Sequence, residues 1–182
     1  LEALERHQIR FIHGYASSIY ALAQEIVRSG YQPPQMRVVV TNAEPLYAHQ
    51  REIITQAFGC PVYETYGMTE IVTSASECKH GQLHLWPDTG HVEIVGDGDP
   101  LVAPGNIGAL ICTGLINGEM PLIRYRVGDR GWLSHKNSAC KCGRTLPVLA
   151  GIEGRDDDTD EDGARLPQIM PGEPAAKRAV LP

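Results

Sequence analysis

Aromatic residues are few, with two Phe and two Trp in 182 residues and 6% aromatic content overall. Length and a 42% hydrophobic share still allow a real core, in one domain or two subdomains. No apolar run approaches the ~18 residues a membrane span needs, and no secretory leader opens the sequence. A surplus of positive charge is also lacking. The net charge is −6, yet six of the 22 acidic residues fall within 156–162, and the remaining 16 match the 16 Lys and Arg. Outside that segment the chain is neutral, which argues against a grip on nucleic-acid phosphates. Five cysteines make an odd count. Without a leader, they read as thiols or metal ligands in a reducing cytoplasm, not as a disulfide framework. The chain opens on Leu1-Glu2 without an initiator Met, which reads as a fragment.

The first third alternates regularly. Ile9-Arg10-Phe11-Ile12 reads as a short strand. Ile19, Leu22, Ala23, Ile26 and Val27 then fall at helical spacing, with Ser17 or Ser18 as N-cap and Gly30 as stop. A β-branched strand follows at 36–40, a second helical pattern at 46–58 ends at Gly59, and a third strand starts at Pro61. The order β-α-β-α-β predicts a partial parallel α/β sheet with right-handed crossovers. Beyond residue 84, short apolar stretches at 91–95, 107–113, 122–126 and 131–133 are separated by turn residues. They predict a small antiparallel β-barrel-like subdomain. The expected division is 1–84 for the α/β part, 85–153 for the antiparallel part, and 154–182 for a Pro-rich tail without periodicity.

In a parallel α/β sheet, ligands bind beyond the carboxyl ends of the strands. Three expected loops leave those ends, at 13–17, 41–45 and 64–70, and should share one rim. Within the third, Tyr66 offers a flat ring, Gly67 a tight turn, Thr69 a hydroxyl and Glu70 a hard carboxylate suited to magnesium. The same residues also read as a helix N-terminus capped by Thr69.

Tyr66-Gly67-Met68-Thr69-Glu70 resembles the Tyr-Gly-x-Thr-Glu motif of adenylate-forming enzymes, the superfamily of acyl-CoA synthetases, luciferases and nonribosomal adenylation domains. Three more segments agree in order. Asn42-Ala43-Glu44-Pro45-Leu46 resembles the Gly-Glu-Pro-Leu loop beside the adenine. Tyr125-Arg126-Val127-Gly128-Asp129 resembles Tyr-x-x-Gly-Asp, and Gly154-Arg155-Asp156-Asp157-Asp158 resembles the Gly-Arg-x-Asp-Asp hinge. Met120-Pro121-Leu122-Ile123-Arg124-Tyr125, Cys142-Gly143-Arg144-Thr145-Leu146-Pro147, Glu77-Cys78 and Leu83-His84 narrow the resemblance to the phenylacetate–CoA ligase branch, including its capsular-polysaccharide (CapK-like) members. The resemblance implies that Tyr66 packs on adenine and that Glu64 reaches its edge. It implies further that Thr69 meets the α-phosphate, Glu70 magnesium, Asp129 the ribose and Arg155 the nucleotide near the hinge. Asn42, Ala43, Glu44, Pro45 and Gly67 complete the nucleotide contacts. Asp129 also reads plainly as a Gly-Asp turn.

Cys78-x-His80 and Cys140-x-Cys142 form two short ligand pairs. Three thiolates and one imidazole suit a closed tetrahedral zinc site. The Cys-x-Cys spacing is tighter than usual, and His84 could replace His80. The resembling branch implies a zinc-like cluster here, with a role in folding. Cys60 and Cys112 sit in apolar surroundings and read as packing residues.

No segment resembles the family's Ser/Thr/Gly-rich phosphate loop, and no lysine-bearing C-terminal domain follows residue 163. Two functions remain open. One is part of an ATP-dependent, AMP-forming ligase that activates a carboxylic acid and transfers it to a thiol such as coenzyme A, inactive alone. The other is a non-catalytic, zinc-stabilised module binding a nucleotide or a partner. Uncovered sheet edges predict self-association or a complementing chain.

Overall fold

The computed structural model describes residues 1–98, 100–135 and 140–155. A short helix α1 (Glu2–Arg6) precedes β1 (Phe11–Tyr15), α2 (Ala16–Ser29), β2 (Val38–Asn42), α3 (Ala48–Phe58) and β3 (Val62–Gly67). The remaining strands are β4 (Ser74–Glu77), β5 (Leu83–Leu85), β6 (Gly90–Val95), β7 (Gly108–Gly114), β8 (Tyr125–Leu133) and β9 (Val148–Arg155). All nine lie in one sheet of order β1-β2-β3-β4-β5-β9-β8-β7-β6. The mixed α/β class expected from the sequence is present, parallel at its N-terminal strands and antiparallel beyond them.

The first three strands pair in parallel, with Phe11 beside Val38 and Val39 beside Val62. Helical spacing places Ile19, Ala23 and Ile26 of α2 on one stripe, and Ile54 and Phe58 of α3 on another. Both stripes pack against Val39 and Val62 on the same face of the sheet. Ile54 and Val39 are fully buried, each stabilising by roughly 1.5–3 kcal/mol. The two helices end at Gly30 and Gly59 with φ of 69° and 60°, a left-handed turn that an L side chain would strain. Facing away from the helices, Phe11 and Tyr15 of β1 are 61% and 56% exposed.

Two strands sit about two residues later than the sequence pattern predicts, so that His13, Gly14 and Tyr15 belong to β1 and not to a loop. The shift follows from the exposed face. With one side of β1 uncovered, polar and aromatic residues alternate with Ile12 and Gly14 without breaking the ladder.

Pairing reverses direction within β3. Its first half pairs with β2, and Thr65, Tyr66 and Gly67 pair antiparallel with Ser76, Ala75 and Ser74 of β4. Antiparallel pairing therefore starts before residue 84. One apolar cluster collects Ala75, Leu85, Ile94, Leu110, Cys112, Val127 and Leu149, drawn from six different strands. The sheet curls to bring them together, and Gly90 at the start of β6 lies so close to the loop before β4 that a Cβ would collide with the Val72 carbonyl. The strand order is nevertheless open, running from β1 to β6. Residues 156–182, which hold the rest of the hinge motif, the acidic run and the Pro-rich tail, lie outside the described residues. No helix among the described residues is long and apolar enough to cross a membrane.

Candidate functional site: a polar crevice and a cysteine–histidine cluster

Residues from the carboxyl ends of β2 and β3 meet β8 and β9 across an open crevice of about 1730 Å³. Asn42, Ala43, Glu44, Pro45, Glu64, Tyr66, Gly67, Thr69, Glu70, Asp129 and Arg155 all line it. The sequence reading treats 64–70 as a loop, but Glu64 to Gly67 continue β3. Thr69 and Glu70 then form a turn into β4, so Thr69 caps no helix.

Two tyrosine–carboxylate hydrogen bonds join β8 to β3 and to the turn that follows it. The Tyr66 hydroxyl donates to Asp129 Oδ2 at 2.6 Å, and the Tyr125 hydroxyl donates to Glu70 Oε1 at 3.2 Å. Arg155, opposite Asp129 in the β8–β9 ladder, brings Nη1 to 3.7 Å from Asp129 Oδ1. Burial and then the Asp129 carboxylate push the Tyr66 phenol well above its ordinary value, so it stays a donor. Gly128 has φ of 82°, and a Cβ there would meet the Arg155 guanidinium at 2.8 Å. Glycine thus lets Arg155 lie against the turn before Asp129.

Glu44 takes a position that its motif does not disclose. Its carboxylate accepts the Ser17 backbone N–H at 2.8 Å and the Ser17 hydroxyl at 3.0 Å. Neither Ser17 nor Ser18 is the N-cap of α2. That position is Tyr15, which makes no side-chain cap, and Glu44 serves the free N–H from the neighbouring loop. Glu64 is raised above the usual carboxylate range, first by burial and then by the charge of Glu77. Thr73, also on the crevice wall, has a buried hydroxyl without a hydrogen-bond partner among the described residues.

Behind the crevice, ligand atoms of Cys78, His84, Cys140 and Cys142 all lie within 4.8 Å of one another. His80 is not in this group, and its backbone N–H donates to Cys78 Sγ at 3.4 Å. His84, opposite Ser76 on β5, is fully buried and supplies the imidazole. Its Nδ1 lies 3.4 Å from the Leu146 carbonyl, and Nε2 lies 3.5 Å from Cys142 Sγ. Donation from Nδ1 to that carbonyl leaves the Nε2 lone pair facing the sulfurs. Cys78 and Cys140 Sγ are 3.8 Å apart, close to the edge of about 3.8 Å of a tetrahedron with zinc–sulfur bonds of about 2.3 Å.

Burial pushes the Cys78 thiol up, but the His80 and Gln82 backbone N–H groups, His84 and Cys140 outweigh it and bring it down to about 6. At Cys140 the Cys142 N–H pulls down, while desolvation and the adjoining thiols leave a net rise. Donor set, spacing and a ready thiolate therefore fit a zinc-type ion. Cys60 and Cys112 are buried apart from this group, as expected, and burial followed by the Asp129 and Glu93 charges pushes Cys112 up to about 12.

One sequence signal that points to this cluster is a repeat. Cys78-Lys79-His80-Gly81 and Cys140-Lys141-Cys142-Gly143 fold into the same turn. In each, the glycine N–H donates to the first cysteine's carbonyl, at 2.9 and 2.8 Å. The cysteine N–H donates to the residue four positions on, at 2.9 and 3.0 Å. Position within the repeat matches His80 to Cys142, yet strand pairing delivers His84. Arg51 carries no motif signal, and the Glu77-Cys78 pair names Glu77 without disclosing its contacts. Arg51 Nη2 pairs with Glu77 Oε2 at 2.9 Å, and the same oxygen accepts the Glu64 N–H at 2.8 Å.

No protein-family profile matches the sequence. It is 34% identical over 145 residues to phenylacetate–coenzyme A ligase of Thermus thermophilus, covering 75% of this chain and 32% of that protein. Protein CapK of Staphylococcus aureus is 31% identical over 130 residues, covering 71% of this chain and 28% of that one. A crystal structure of 2-hydroxyisobutyryl-CoA ligase in complex with an acyl-AMP superposes with a TM-score of 0.73 at 24% identity. That match covers 87% of this chain and 35% of the ligase. The chain thus spans about a third of its curated relatives' length, 32% in the Thermus protein. Motifs, sheet and relatives agree that this chain belongs to the adenylate-forming superfamily, with phenylacetate–CoA ligase and CapK among its relatives.

Proposed function

We propose that the chain supplies the nucleotide-binding part of an AMP-forming acid–thiol ligase. The observation that carries this reading is the convergence of Tyr66, Glu70 and Asp129, reached through two crossed tyrosine–carboxylate hydrogen bonds. In this reading the Tyr66 ring packs on adenine and Glu64 meets the adenine edge. Asn42, Ala43, Pro45 and Gly67 form the wall, with Glu44 holding that loop against α2. Asp129 and Arg155 hold the ribose and its surroundings, and Thr69 contacts the α-phosphate.

Glu70 would hold magnesium, which supplies charge neutralisation on the phosphates of ATP. Attack of a carboxylate on the α-phosphate yields acyl-AMP and pyrophosphate. It needs positioning and charge stabilisation more than a strong base. The acyl group then passes to a thiol, forming a thioester and releasing AMP. Coenzyme A is the proposed acceptor, because a related ligase structure holds both an acyl-AMP and CoA.

Cys78, His84, Cys140 and Cys142 would hold a zinc ion that fastens the sheet and takes no part in the chemistry. We infer that turnover needs a phosphate loop and a lysine supplied by residues other than these 182.

The test is binding of labelled AMP by equilibrium dialysis to wild type and Asp129→Ala. Saturable binding that falls at least about tenfold in the variant is expected, from loss of charged hydrogen bonds. Equal binding by both proteins, or none by either, overturns the assignment.

A further inference from the structure

The crevice and the cysteine–histidine cluster share a wall, and one carboxylate joins them. Glu77 ends β4, and the next residue, Cys78, is a member of the cluster. Glu77 Oε2 receives the Glu64 backbone N–H from β3 at 2.8 Å and Arg51 Nη2 from α3 at 2.9 Å. Arg51 also donates through Nη1 to the Val62 carbonyl, two residues before Glu64. The Glu77 side chain is only 11% exposed. One largely covered carboxylate oxygen therefore fixes the height of β3 at Glu64, holds α3 against the same strand, and sits one peptide from a cluster ligand.

Resting on the nucleotide reading given above, we propose that Glu77 is a positioning residue that couples metal occupancy of the Cys78–His84–Cys140–Cys142 cluster to nucleotide affinity. A metal would tie the turn after Glu77 to the turn at 140–143, and so hold the end of β4 in one place. The carboxylate then keeps Glu64, and the β3 segment leading to Tyr66, in register with the crevice. Without the metal, the turn is free to shift, and the Glu77 oxygen shifts with it. Coupling between two sites is reciprocal: nucleotide must tighten metal binding by the factor by which metal tightens nucleotide binding.

The experiment uses the 182-residue chain as wild type, Glu77→Ala and Glu77→Gln. AMP affinity is read by equilibrium dialysis in zinc-loaded and chelated protein. Zinc affinity is read by competition with a chromophoric chelator, with and without saturating AMP. For wild type, about a tenfold change in both directions is expected. In Glu77→Ala both ratios should fall toward one with zinc still bound at one per chain, and Glu77→Gln, which keeps an acceptor for the Glu64 N–H, should recover part of the coupling. A merely structural role would lower thermal stability and leave the two ratios intact. Chelated wild type that unfolds overturns the proposal, because metal and nucleotide are then linked through folding of the whole chain and not through Glu77.

Ratios of one in wild type, or wild-type ratios in both variants, overturn the coupling while leaving the nucleotide site standing. Failure of zinc-loaded wild type to bind AMP overturns the nucleotide reading, and this proposal with it. Less than about half a zinc per chain does the same to the metal arm alone.

Discussion

The parallel strands β1–β3 are covered on one face by two helices, whereas the antiparallel strands curl around a core made from their own side chains. In the first region the buried residues come from successive elements, and the chain from Ile19 to Val62 builds most of the cluster. In the second, the ties are distant in sequence. Tyr66 reaches Asp129 63 positions away, Tyr125 reaches Glu70 across 55, and Cys78 meets Cys140 across 62. Local packing builds a platform, and long-range polar ties assemble the chemistry on it. β3 belongs to both regions, and the crevice opens along it.

Removing the zinc proposed for the cysteine–histidine cluster should separate the two regions most. Chelation is expected to lower the thermal midpoint by at least about 10 °C. Amide exchange should then rise in β4, β5 and β9 while β1, β2 and α2 keep their protection. Uniform loss of protection would mean that the regions are a single cooperative unit. Core truncation gives the next effect. Ile54→Ala and Leu110→Ala each remove a fully buried side chain, one per region, and should each cost about 2–5 kcal/mol in urea unfolding. The two costs should add within about 0.5 kcal/mol if the cores are independent, and a clear departure would tie them together.

Glu44→Ala should cost about 1 kcal/mol, because the α2 N-terminus loses the carboxylate that accepts the Ser17 N–H and hydroxyl. Exchange at Ser17 should report it, and an unchanged rate there would remove Glu44 from the cap.

Glu64→Gln has the smallest effect, and its sign depends on pH. Burial and Glu77 raise the folded carboxyl above its ordinary 4.5, so the native state binds that proton more tightly than the unfolded chain does. Stability from Glu64 is fully present below about 4.5 and is lost as pH rises through the raised value. The variant should therefore gain about 2 °C in thermal midpoint at about pH 8 and nothing at about pH 4. A gain at both would mean that packing, not charge, makes the difference.

Helical spacing at Ile19, Ala23 and Ile26 and the stops at Gly30 and Gly59 were readable because they are local. The short strands β4 and β5 were not. Ser-Ala-Ser-Glu has little strand preference of its own, and pairing with β3 and burial of Ala75 make it one. Motif spelling named the residues of the crevice but not their contacts. Glu44 looks like a ligand residue by its loop, and only the fold shows it reaching Ser17. His84 rather than His80 joins the cysteines because register sets it opposite Ser76, a fact about a neighbouring strand.

The bond from Tyr66 to Asp129 sets one crevice side chain in competition with any ligand donor for the same carboxylate oxygen. In the nucleotide site proposed above, a sugar hydroxyl that takes the same oxygen enters a trade: one donor departs as another lands, and the tally of polar contacts barely moves. Net heat from that corner should be small. On that proposal the drive for association comes from ring stacking and displaced water, whose signature is a negative heat-capacity change across temperatures, not a large enthalpy at one.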